Sequence, residues 1–170
     1  MAFILRDDIG TLDTPEGLEQ LKRKWQQYRE SLEAIRGRIP QSAFEFATAP
    51  WHYDQGDSRS LHDSWVEALI ISEPSDGDRN EIRSLEIQVR LLGPYHDATT
   101  TLIYRRARSH SLNTPILFAF PSRDVGHGDW LCDEIRLSPD DHVIHEIEFS
   151  RGSRWIIECE DIEWIYTPQQ

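Results

Sequence analysis

Apolar residues at Leu18, Leu21, Trp25, Tyr28, Leu32 and Ile35 recur at alternating intervals of three and four, which lines them up as one stripe on an α-helix. The pattern predicts a helix over 15–36. Asp13 or Thr14 supplies an N-cap, Pro15 stands where a missing N–H costs nothing, and Glu16 meets the positive end of the helix dipole. Arg36, Gly37 and Pro40 mark the stop. Trp25 and Tyr28 are bulky for a coiled-coil seam, so the stripe is expected to lie on a sheet.

Beyond Pro40 the period changes to two, with β-branched and aromatic residues in short runs separated by turn clusters. Strands are expected at Ala43–Thr48, Ser64–Ser72, Ser84–Leu92, Thr99–Ser109, Ile116–Phe120, Trp130–Leu137, His142–Ser150 and Arg154–Glu160, with a further one at Ile162–Thr167. Arg151-Gly152 between two alternating runs marks a tight hairpin, because glycine supplies the positive φ such turns need. The expected fold is α+β: one long N-terminal amphipathic helix packed on a mostly antiparallel sheet, flattened barrel or sandwich of about seven to nine strands. With no repeat, linker or low-complexity tract, residues 1–170 read as a single domain, with the β region over 43–167.

A chain of 170 residues, 38% of them hydrophobic, is long enough to bury roughly 70% of its unfolded surface. Thirty acidic side chains against 18 basic ones give a net charge of −12, a field that repels phosphate backbones and disfavours nucleic acid as a partner. The same field attracts a basic protein surface. "MAFILRDDIG" turns acidic after five residues and nowhere do about 18 apolar residues run together, so neither a signal peptide nor a membrane span is expected. Cys132 and Cys159 lack metal or redox spacing and read as reduced thiols of a cytoplasmic protein.

Candidate chemistry centres on His62-Asp63 in "SLHDSWVEALII", a pair echoed by His96-Asp97 in "YHDATTTLIY". Both pairs precede strands, whereas metal phosphohydrolases gather such ligands from several helices. His142 and His145, three apart on a strand, point to opposite faces and do not make a metal pair. No metal or cofactor is therefore expected. His145 shares a face with Val143, Ile147 and Phe149 and reads as a core histidine with backbone partners for its ring. Asp133 and Glu134 are adjacent, so they face opposite sides and fail as a paired acid/base couple. Asp133 falls on the apolar face of Leu131, Ile135 and Leu137 and needs a basic partner, Arg105 or Arg106 being expected. Asp63 is expected to accept backbone N–H groups at a turn whose geometry His62 fixes.

The His-Asp turn before the first long strand, "TLIYRRARSHSL", the acidic "CDEIRL" strand and the closing "HEIEFSRGSRWIIECEDIEWIY" hairpin resemble small, largely uncharacterised bacterial β-rich proteins. Some of these are held to be immunity proteins of polymorphic toxin systems. The resemblance covers residues 58–167 and implies a non-enzymatic sheet scaffold that binds another protein. The expected function is thus an acidic protein-binding module that neutralises a basic partner. The alternative is a hydrolase in which His62 and Asp63 converge with His110, His127 or His145.

Overall fold

A computed structural model describes residues 14–113 and 126–169. The expected strand Ile116–Phe120 and the cap candidate Asp13 lie outside the described residues. Helix α1 spans Pro15–Ile35, with the Thr14 hydroxyl accepting the Gly17 N–H at 3.1 Å. Along its stripe Tyr28 and Leu32 are buried, while Leu18 is exposed.

A second helix, α2, spans Gln41–Thr48 and corrects the strand expected at Ala43–Thr48. The run "AFEFAT" fits both periods, since Phe44 and Phe46 flank the polar Glu45 as a strand would place them. Burial of Ala43, Phe44, Phe46 and Ala47 follows the helical spacing instead, after Pro40 at the N-cap.

Eight strands follow among the described residues: β1 (Trp65–Ser72), β2 (Glu86–Leu92), β3 (Ala98–Arg105), β4 (Ser109–Leu112), β5 (Trp130–Leu137), β6 (Val143–Phe149), β7 (Arg154–Cys159) and β8 (Asp161–Pro168). They form two antiparallel sheets, ordered β1-β2-β3-β8 (sheet A) and β4-β7-β6-β5 (sheet B). The expected hairpin at Arg151-Gly152 joins β6 to β7, with Gly152 at φ 82° and its N–H donated to the Phe149 carbonyl at 3.0 Å.

The single strand expected over Thr99–Ser109 is instead broken into β3 and β4. Arg106 takes φ 49°, the ladder resumes at Arg108, and the chain has by then crossed from sheet A to sheet B. Its antiparallel neighbour makes the same crossing at Glu160 between β7 and β8. The crossing is therefore one bent two-stranded ribbon. The Arg108 N–H donates to Glu158 and the Glu160 N–H to the Arg105 carbonyl, at 2.7 and 3.0 Å. The Glu160 carboxylate binds the guanidinium groups of Arg106 and Arg108 on the outside of the bend. At another corner, Trp65 bridges to Asp129, linking β1 to the start of β5.

Between the sheets, Ile87, Val89, Leu91, Leu102, Tyr104 and Ile162 of sheet A meet Ile135, Val143, Ile147, Trp155 and Ile157 of sheet B in one buried core. A register shift between Trp130 and Cys132 turns the Trp130 indole into that core, 5.5 Å from Phe149. Helix α1 meets sheet B at the edge of β5, not across a sheet face. There the buried Tyr28 hydroxyl accepts the Ile135 N–H at 2.7 Å, and the Tyr53 hydroxyl donates to the Asp133 carbonyl at 3.3 Å. Backbone groups of β5 thus find tyrosines on the side where no neighbouring strand lies among the described residues.

Tyr28→Phe leaves the Ile135 N–H without its acceptor and is expected to lower stability by about 1–3 kcal/mol in urea unfolding. Leu18→Ala, at the exposed end of the same helix, is expected to change it by less than about 0.5 kcal/mol. Equal effects would mean that α1 is held by its apolar stripe alone.

Candidate functional site

Asp133 points from β5 into the core, where its carboxylate is almost fully buried. Three N–H groups converge on it: Trp130 Nε1 at 3.0 Å, His145 Nε2 at 2.9 Å and His52 Nε2 at 2.9 Å. The partner predicted for Asp133 was Arg105 or Arg106, but both guanidinium groups lie at the ribbon bend, on Glu86 and Glu163 and on Glu160. An inward carboxylate needs a compact, flat donor that itself packs among apolar groups, and imidazole meets that requirement.

Hydrogen-bond geometry assigns the protons. His52 Nδ1 lies 2.7 Å from the Phe46 carbonyl, and Nε2 faces the carboxylate. Both nitrogens therefore donate, and His52 is an imidazolium. The ring packs against aromatic groups, stacked 4.2 Å from Tyr53 and tilted 4.3 Å from Phe46 between centroids, which suits a buried cation. His145 differs: Nε2 donates to Asp133, while Nδ1 accepts the Tyr104 hydroxyl at 2.8 Å, the arrangement of a neutral ring. His145 is a core histidine as its face predicted, but its ring partners are side chains where backbone groups were expected.

Burial by itself would push the Asp133 carboxyl up; the His52 charge and the hydrogen bonds from His145 and His52 outweigh it and hold the group well below the usual carboxylate range. Burial, with lesser contributions from Cys159 and Asp133, pushes the Tyr104 hydroxyl well above its ordinary value, so it remains a donor. All four side chains are sealed from solvent. The arrangement can fix charge and orientation, and its polar groups are all withdrawn from solvent.

Glu134, the neighbour of Asp133, faces outward as strand alternation requires, opposite Glu146 in the β5–β6 register. It is nonetheless fully buried, in a layer where Glu146 binds Arg136 at 2.8 Å and Arg154 at 2.6 Å.

His62 and Asp63 lie apart from this network. His62 Nδ1 is 2.7 Å from the Leu131 carbonyl and its Nε2 is 3.4 Å from the largely exposed Asp63 carboxylate. The expected role of that carboxylate, accepting backbone N–H groups, is not what holds the turn. Asp63 contributes its backbone, with φ 64° and its N–H donated to the Trp130 carbonyl at 2.9 Å. Aspartate is among the residues that tolerate the left-handed region, which accounts for its presence there. In the echoed pair His96 is the left-handed residue, at φ 57°, and its ring packs edge-on to Trp65 at 4.5 Å.

Among the described residues no hydrogen bond, ion pair or ring contact joins His62 or Asp63 to His110, His127 or His145. His127 binds Ser153 at 2.7 Å, and His110 lies on the short strand β4. Among the described residues no group of three or more His, Cys, Asp or Glu side chains is placed to hold a metal ion, and neither cysteine is disulfide-bonded. Several clefts open to solvent. One of about 630 Å³ lies between the helices, with Trp25, Leu32, Ala47 and Tyr53 in its lining. Another, of about 440 Å³, lies at the start of β1 beside Trp65, His127, Asp129 and Arg151.

Sequence reasoning singled out Asp133 and His145 but not His52, which lies in a loop with no periodic pattern. The signal it carried was a lone histidine between two aromatic residues in "PWHY".

Asp133→Asn leaves a buried imidazolium without its counter-charge and is expected to cost about 3–5 kcal/mol in urea unfolding. Nitrogen NMR should show two protonated nitrogens on His52 and a single Nε2–H on His145; a neutral His52 ring would overturn the assignment. Because the Asp133 carboxyl is depressed in the folded state, its contribution is complete above the ordinary value of about 3.9 and is lost progressively as pH falls below it. Acid unfolding of the parent should therefore steepen below about pH 4, and that of Asp133→Asn should be shallower there. At the turn, Asp63→Gly is expected to be tolerated within about 0.5 kcal/mol, while Asp63→Val costs at least about 1 kcal/mol for the left-handed backbone.

Compared with protein-family models, curated proteins and solved structures, the chain matches none, so its function has to be read from its own geometry.

Proposed function

We propose that this protein is a non-enzymatic binding module that holds, and in the manner of an immunity protein neutralises, a basic partner protein. The observation that carries this reading is where the acidic groups lie. The convergent His-Asp-His-Tyr constellation is locked inside the core, while other carboxylates that contribute to the −12 net charge lie exposed at the surface. Asp54, Asp76, Asp78, Asp97 and Asp140 are all exposed, with no Lys or Arg ion pair among the described residues. Carboxylates left outside local pairs sum to a long-range field that steers a cationic surface to encounter. The resemblance of residues 58–167 to immunity-type β-rich proteins points the same way.

The test is affinity capture of the products of neighbouring genes on the tagged full chain at low salt. A basic protein is expected to be retained, with an association rate that falls at least tenfold between about 50 and 500 mM salt as screening shortens the field. Recovery of chaperones alone, or binding indifferent to salt, would overturn the reading.

A further inference from the structure

Among the described residues the two sheets have four edges, and three of them are guarded. β5 is closed by the Tyr28 and Tyr53 hydroxyls. β8 is flanked by α2, with Ser42 hydrogen-bonded to Asp161 and Trp51 packed 4.6 Å from Trp164. β4 is only four residues long. β1 is the exception: past Trp65, which bridges to Asp129, the strand has no partner on its outer side among the described residues.

Its side chains are as unusual as its edge. Trp65, Leu69, Ile70 and Ile71 are 49%, 38%, 51% and 44% exposed. Consecutive residues of a strand point to opposite faces, so exposure of Leu69, Ile70 and Ile71 together means that β1 overhangs the core on both. Lysine and proline, the usual guards against edge pairing, are missing from "WVEALIIS". Its one charged residue, Glu67, sits at the bulge between Val66 and Ala68 and is paired with Arg90 at 3.0 Å.

We infer that β1 is the docking strand, and that it adds to sheet A an extended segment of the partner with an apolar centre and basic flanks. This deepens the proposed function and rests on it for the identity of the partner as basic. Backbone pairing along β1 supplies the register, and Leu69, Ile70 and Ile71 supply apolar contact on both faces.

Charge selects the occupant. The segment Asp63–Glu81 carries six carboxylates against one arginine, Arg79. Arg90 engages Glu67, and Arg83 engages Glu73 and Glu81. Asp63 at one end of β1 and Asp76 and Asp78 beyond the other have no Lys or Arg ion pair among the described residues. A second copy paired antiparallel through β1 would bring Asp63 of one chain toward Asp76 and Asp78 of the other at both ends. Like charges there oppose self-pairing, and lysine or arginine flanks favour a foreign strand.

The experiment follows amide hydrogen exchange of the full chain with three synthetic peptides at millimolar concentration. One is a Thr-Val alternating peptide flanked by paired lysines, one has glutamate flanks, and one has lysine flanks with a central proline. The lysine-flanked peptide is expected to slow exchange across Trp65–Ser72 at least tenfold, and the other two to leave it unchanged. Ile70→Lys, at a site already exposed, should abolish that protection while circular dichroism stays that of the parent.

Unchanged exchange at β1, or equal protection by the proline peptide, would overturn the inference. So would a concentration-dependent dimer protected at β1 without peptide, which would make the second copy the occupant. A basic partner captured equally well by Ile70→Lys would remove β1 as the site and leave the proposed function standing. Protection by the lysine peptide with no basic partner captured would do the reverse.

Discussion

The ionised carboxylate of Asp133, buried between two sheets, is the constraint on which the arrangement of the molecule depends. An ionised group in that position is costly unless charge and hydrogen bonds compensate it. The compensation comes from separate parts of the chain. His52 follows α2, Trp130 opens β5, and His145 lies on β6. Tyr104 of sheet A then completes the His145 ring on sheet B. Satisfying one carboxylate therefore fixes the helical layer and both sheets relative to one another. A purely apolar core would bury as much surface without tying these separate elements to one group.

The second constraint is the treatment of sheet edges. Two tyrosine hydroxyls meet the edge of β5, α2 lies along β8, and β4 is cut short. Such devices suppress pairing with other chains. Their concentration on three edges gives meaning to the fourth, where an apolar strand with a single paired carboxylate runs at the surface.

The bent ribbon of β3–β4 and β7–β8 explains how one core serves two sheets. Its strands change sheet together, with the left-handed Arg106 on one side and Glu160 on the other. Glu160 sits between Arg106 and Arg108; burial pushes its carboxyl up, but the hydrogen bonds and charges of the two guanidinium groups together outweigh it and hold the group below the usual carboxylate range. The charge cluster thus sits where the ribbon must turn, and it leaves the buried carboxylate to the histidines.

Local pattern determined a good deal by itself. The period of Leu18 to Ile35 with Thr14 and Pro15 specified α1, because helix caps and stripes are written in near neighbours. Strict alternation specified β5, β6 and β7, and with them the opposite facing of Asp133 and Glu134 and the core position of His145. Three features were decided only by tertiary structure. "AFEFAT" fits either period and became helical through what its phenylalanines bury. The break at Arg106 depends on a second sheet waiting beyond it. The partnership of His52 with Asp133 spans 81 residues, and no local rule links a loop imidazole to a strand carboxylate that far away. Sequence pattern reports which face a side chain takes; which distant group meets it there is settled by packing, because burial of a charge is resolved only when the whole core closes around it.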